Sequence, residues 1–79
     1  MQTQVLNYRV LLRREPEGAF TAIVPSLPGC VTCGGTMDEA IAMANEAIAA
    51  YIESLNAHGE PIPTEKDVFE YVLAVETHA

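Results

Sequence analysis

VFEYVLAVE, Val68 to Glu76, is the most strand-like stretch of this 79-residue sequence. Phe69, Tyr71, Leu73 and Val75 alternate with Val68, Glu70, Val72 and Ala74, so an extended backbone sends the two sets to opposite faces. Whether this segment joins a sheet decides the fold class, and the residues upstream say what that sheet is.

Immediately before it, Glu60-Pro61-Ile62-Pro63-Thr64 is excluded from helix by its prolines and reads as a connection. Further back lies an alanine-rich run with strong helix propensity. Thr36-Met37-Asp38-Glu39 has the form of a capping box at its start. The helix is expected to run to about Ala57, with Gly59 at the left-handed stop. At 100° per residue, Met37, Ile41, Ala44, Ile48, Tyr51, Ile52 and Leu55 share one side. Glu39, Glu46 and Glu53 recur on the opposite side.

The N-terminal half reads as three strands. In NYRVLLRR, residues 7–14, Tyr8, Val10 and Leu12 point one way while Arg9, Leu11 and Arg13 point the other. Glu15-Pro16-Glu17-Gly18 supplies a turn, proline fixing φ and glycine reaching positive φ. Ala19 to Val24 completes a hairpin. Pro25 and Pro28 take the next residues off the ladder, Gly29 bends, and Cys30 to Cys33 returns as a short strand ended by Gly34-Gly35.

The order is therefore β-β-β-α-β. It predicts one α+β domain over residues 1–79, with a four-stranded mixed sheet and one long helix on one face. The helix acts as a right-handed crossover that sets the last strand parallel to an earlier one. A single helix covers a single face. The bare face is expected to carry Leu11, Val72, Ala74 and Ile23 beside Arg9, Arg13 and Glu70, too apolar a patch to rest in water. Arg9, Leu11, Arg13, Glu70 and Val72 are accordingly the candidate oligomer or partner surface. Charge complementarity between the arginines and Glu70 is its expected electrostatic role.

Composition agrees. A chain this short buries only ~60–65% of its unfolded surface, yet 49% of its residues are apolar. Burial against another chain reconciles the two. Net charge is −7, with eleven acids against Arg9, Arg13, Arg14 and Lys66. Phosphate backbones are bound through Lys and Arg, so nucleic acid is a poor partner and a basic protein a good one. No apolar run is long enough to span a membrane, and MQTQVLNYRV lacks the form of a secretory signal. A cytoplasmic protein is expected.

Cys30-Val31-Thr32-Cys33 has the spacing of redox and zinc sites. Structural zinc wants four ligands, and His58 and His78 sit alone in the sequence. On a strand, residues three apart face opposite sides with Cα atoms roughly 10 Å apart, beyond the ~7 Å reach of a disulfide. The cysteines read as incidental to turn and strand, so neither a metal nor a cofactor is expected. No catalytic residues are assigned either: the first three strands carry no Asp or Glu in their interiors. The Glu39, Glu46 and Glu53 stripe has two readings, a solvated helix face or a docking surface for a basic protein, and its period does not choose between them.

With these residues in view, the sequence resembles the HicB-type antitoxin domain. The likeness runs from YRVLLRREPEGAFTAIVPSLPGC through VTCGGTMDEAIAMANEAIAAYIESL to GEPIP. The resemblance implies a truncated RNase H-like fold with sheet order 3-2-1-4 and no catalytic carboxylates. It also implies a partner: a small basic HicA-like ribonuclease toxin, bound and neutralised. Oligomerisation as a dimer or tetramer is expected. Ser26 stands where an acidic residue is common in the family. The chain ends soon after the last strand-like segment, so direct DNA binding is not expected of it. The alternative is a solitary HicB-like module, an oligomeric scaffold or ligand binder without a toxin.

Overall fold

A computed structural model describes residues 4–78. Three strands precede one helix: β1 (Leu11–Arg14), β2 (Phe20–Ile23), β3 (Val31–Gly34) and α1 (Met37–Ala57). The strands form one antiparallel sheet in the order β1-β2-β3. Leu11 lies opposite Ile23, and Ile23 opposite Val31. Arg13, Thr21 and Cys33 form the next row but one along the sheet. Gly18, at φ 99°, closes the first hairpin, and Gly29, at φ 81°, the bend before β3. Both need the left-handed region that glycine occupies without steric cost.

The expected four-stranded mixed sheet is not formed. Val68 to Glu76 belongs to no ladder and stands in water as an extended arm: Phe69, Tyr71, Val72, Leu73 and Val75 are 74–90% exposed. The order 3-2-1-4 and the crossover role of the helix fall with it. The physical reason is that alternation makes a segment competent for a sheet, but a strand exists only where a second backbone pairs with it. Residues 7–10, read as part of the first strand, also lie outside the ladder. The arm lengthens the molecule to 55 × 30 × 20 Å. Its radius of gyration is 15.3 Å, against about 11.6 Å for a compact domain of this length.

Helix α1 begins and ends where local chemistry dictates. Thr36 is the N-cap, its hydroxyl accepting the Glu39 amide at 3.1 Å. At the other end Gly59 takes φ 65°. There the Glu60 amide donates to the Leu55 carbonyl and the Gly59 amide to that of Asn56, a Schellman closure.

The helix lies over β2 and β3, and the seam is made of small residues. Ala22 of the sheet and Ala40 and Ala44 of the helix are buried together, flanked by Val10, Leu12 and Phe20. Gly34 permits this closeness, because a Cβ there would stand 2.6 Å from the Ala40 nitrogen. A second cluster, Val24, Leu27 and Cys30, packs beneath Tyr8, Ala47, Ile48 and Tyr51. The Tyr51 hydroxyl fixes this loop by donating to the Pro28 carbonyl at 2.8 Å. The buried stripe thus runs Ala40, Ala44, Ala47, Ile48, Tyr51. Met37 and Ile41, expected on the buried side, remain about half exposed. The helix is turned so that alanine meets the sheet and the bulkier flank faces the β1 edge.

Candidate interaction surface

Residues that pair across long stretches of sequence gather at the β1 edge. The Glu65 carboxylate, only 9% exposed, accepts from three donors. The Arg9 backbone amide reaches Oε1 at 2.8 Å, the Arg9 guanidinium Nε reaches the same oxygen at 3.3 Å, and the Ser26 hydroxyl donates to Oε2 at 2.6 Å. These bonds, led by that of Ser26, hold the Glu65 carboxyl below its ordinary pKa against the opposing effect of burial. Beside it the Tyr8 hydroxyl donates to the Pro63 carbonyl. Its pKa is raised by burial and by the neighbouring Glu65 charge. Together these contacts pin the Pro61–Glu65 connection across the lead-in to β1. At Lys66-Asp67 a turn follows, the Val68 amide donating to the Glu65 carbonyl at 3.1 Å. The arm leaves from there.

Nothing local in the sequence marks Glu65: its partners lie 39 and 56 residues away. Its contact with Ser26 also gives that residue a role, since a second carboxylate at position 26 would face Glu65 rather than donate to it.

The sheet face away from α1 carries the cross-strand row Leu11, Ile23, Val31. Leu11 is 44% exposed and Val31 55%. Next to that row, the Glu15 carboxylate accepts from the Arg13 Nε and the Thr21 hydroxyl, both at 2.8 Å. The Arg13 bond and then the Thr21 bond lower the Glu15 pKa. Arg14 lies over the Phe20 ring, 5.3 Å from its centroid.

Of the sequence-derived surface residues, Arg9, Leu11 and Arg13 therefore fall together on β1 and its lead-in. Glu70 and Val72 do not join them; they lie on the exposed arm. Glu39, Glu46 and Glu53 are exposed along α1, on the side away from the alanine seam. With Asp38 they make this helix wholly acidic: it contains no Lys or Arg.

Two clefts flank the β1 edge. The larger, about 560 Å³, lies between residues 5–9 and residues 64–70. The smaller, about 300 Å³, runs between the lead-in and α1 and is lined by Leu6, Tyr8, Val10, Ile41, Asn45 and Ile48.

Cys30 is buried and Cys33 exposed, and both thiols are free. Burial pushes the Cys30 thiol up, the reverse of the activation a reactive cysteine needs. Among the described residues no three His, Cys, Asp or Glu side chains stand close enough to hold a metal ion. No helix among them is long and apolar enough to cross a membrane.

A family model described as HicB_like antitoxin of bacterial toxin-antitoxin system matches residues 8–78, which takes in the sheet, the helix, the Glu65 staple and the arm alike. The chain belongs to the HicB-like antitoxin family. Its relatives include a UPF0150 protein of Synechocystis, 48% identical over 78% of this chain and 78% of that protein. A UPF0150 protein of Thermoplasma acidophilum is 45% identical over 76% of this chain and 87% of its own length. A protein from the rep-hol intergenic region of Haemophilus phage HP1 is 31% identical over 82% of this chain, which spans 48% of the phage protein. In this HicB-like chain the match extends through the arm, so a segment without a partner inside the molecule still belongs to the family pattern.

Proposed function

We propose that this chain is the antitoxin of a type II toxin-antitoxin pair and acts in the cytoplasm by binding, without catalysis of its own. Its target is a small basic ribonuclease of the HicA kind. Family membership supplies the antitoxin role. The observation that carries the mode of action is the outer face of α1, where Glu39, Glu46 and Glu53 stand exposed on a helix without a single cation. A ribonuclease that grips RNA through Lys and Arg presents the complementary charge. Covering that surface denies it to RNA, and the net charge of −7 speeds the encounter.

The test is co-expression with the neighbouring small open reading frame, followed by binding measurements on the purified pair. The wild-type chain is expected to restore growth. The triple variant Glu39→Lys, Glu46→Lys, Glu53→Lys is expected to lose neutralisation and to slow association at low salt at least ~10-fold. The helix is expected to survive, Glu39→Lys costing about 0.3–1 kcal/mol at the helix N-terminus and the other two exposed substitutions about 0.5 kcal/mol or less each. A harmless neighbour, or a triple variant that neutralises as well as wild type, contradicts the proposal. The first outcome would leave the solitary HicB-like scaffold in its place.

A further inference from the structure

The Thr21 hydroxyl bonds Glu15 within its own hairpin, and the Thr36 hydroxyl caps its own helix. The Ser26 hydroxyl instead joins two segments 39 residues apart in sequence, donating to the Glu65 carboxylate at 2.6 Å. We propose that Ser26 is a phosphorylation site. A phosphate there opens the contact by which Glu65 holds residues 61–65 on the body, and a protein serine kinase using ATP installs it.

Place and local geometry suit a modifying enzyme. Ser26 is half-buried in a loop whose flanking Pro25 and Pro28 are exposed. The loop keeps its shape without the hydroxyl. The Leu27 amide donates to the Val24 carbonyl at 3.1 Å, the Cys30 amide to that of Leu27 at 2.9 Å, and the Val24 amide to that of Cys30 at 3.0 Å. Leu27 itself is wholly buried. A change of charge at Ser26 therefore acts on what the side chain touches and spares the loop that carries it.

What it touches is a carboxylate only 9% exposed. In the unmodified chain Ser26 supplies one proton to Glu65, and the Arg9 amide and guanidinium supply the others. Transfer of the γ-phosphoryl group forms the Oγ–P bond and breaks the bond to the oxygen that leaves with ADP. The hydroxyl proton departs through the kinase's base. Glu65 has then lost a donor and faces a group of about −1.5 to −2 charge with three acceptor oxygens. Two anions in so enclosed a spot repel strongly. Arg9 decides which of them stays. It sits on the other oxygen of the same carboxylate, and a guanidinium fork fits phosphate with two parallel bonds. Arg9 turns to the phosphate, Glu65 is expelled, and its bond to the Arg9 amide goes with it. Of these long-range bonds, that of Tyr8 to the Pro63 carbonyl remains.

Two measurements test the site. Mass spectrometry of the chain purified from the cells that naturally make it should find one phosphoryl group on the peptide holding Ser26. Hydrogen exchange followed by NMR then compares the unmodified chain with one made with phosphoserine at position 26. The Arg9 amide should exchange at least ~10-fold faster in the phosphorylated chain, with the β2 amides unchanged. Ser26→Ala removes the donor without adding charge and should give a smaller increase. In Glu65→Gln, where there is no anion to expel, phosphoserine should bring no further increase. Native chain without phosphate on Ser26, an Arg9 amide unmoved by phosphoserine, or equal acceleration by Ser26→Ala would each overturn the proposal. So would lost β2 protection, or a further increase in Glu65→Gln. None of these readouts involves a toxin, so failure here is distinct from failure of the antitoxin reading.

Discussion

Leu27 and Leu73 are the same side chain in opposite circumstances. Leu27, in a loop bracketed by prolines, is wholly buried among Val24, Cys30 and the helix residues above them. Leu73, in the segment with the strongest strand pattern, is 75% exposed. Local pattern would rank them the other way. The loop is buried because Tyr51 and Ile48 reach it from α1; the arm is bare because none of the described residues covers it. The body is closed by its own contacts, and the arm residues Phe69 to Val75 are left largely exposed.

The largest expected contrast uses these two positions. Leu27→Ala should cost about 2–5 kcal/mol, the range for truncating a buried leucine. Leu73→Ala, in protein dilute enough to be monomeric, should stay within about 0.5 kcal/mol. Denaturant titrations of both variants check this, and equal losses would erase the distinction between body and arm. Next in size is Gly34→Ala, whose new Cβ would meet the Ala40 nitrogen at 2.6 Å. Overpacking at this seam should cost about 1–3 kcal/mol, lowering the melting temperature by roughly 4–8 °C per kcal/mol. An unchanged melting temperature would mean that α1 does not sit close to β3.

Glu65→Gln probes the junction between the two regions. It replaces an anionic acceptor by a neutral one, and a loss of about 1–2 kcal/mol is expected, together with faster hydrogen exchange at the Arg9 amide. The pH dependence has a definite sign. Because the folded-state pKa of Glu65 is lowered, its contribution is present above the ordinary carboxylate pKa and is lost as pH falls through the depressed value. An NMR titration of this carboxyl at or above the usual Glu value would contradict the staple. Among the destabilising changes the mildest expected is Thr36→Ala, which removes the helix cap for about 0.5–2 kcal/mol; its check is the melting temperature and exchange of the Glu39 amide.

What the sequence made legible follows the range of the interaction. Both ends of α1 were readable because the Thr36 cap and the Gly59 stop act within four residues. The hairpin was readable because Gly18 sets the turn, and the alternation of Val10 and Leu12 against Leu11 and Arg13 survives in the structure. Cys30 is buried and Cys33 exposed, as the strand reading expected, although Cys30 sits just ahead of β3 rather than in it. The inward side of the helix was readable at Ala44, Ile48, Tyr51, Ile52 and Leu55 but not in its first turns, where hydrophobic size pointed to Met37 and Ile41. The actual seam depends on Gly34 and Ala22 admitting a close approach, a property of two elements together. Glu65 was invisible because its donors are remote in sequence. The fourth strand was expected from alternation alone, and the structure overturns it: Val68 to Glu76 pairs with none of the described strands.

Hydrogen exchange tests the division between body and arm most directly. In the single chain the amides of residues 69–75, which pair with none of the described strands, should exchange without protection while those of β2 stay slow. Arm amides as protected as those of β2 would contradict it.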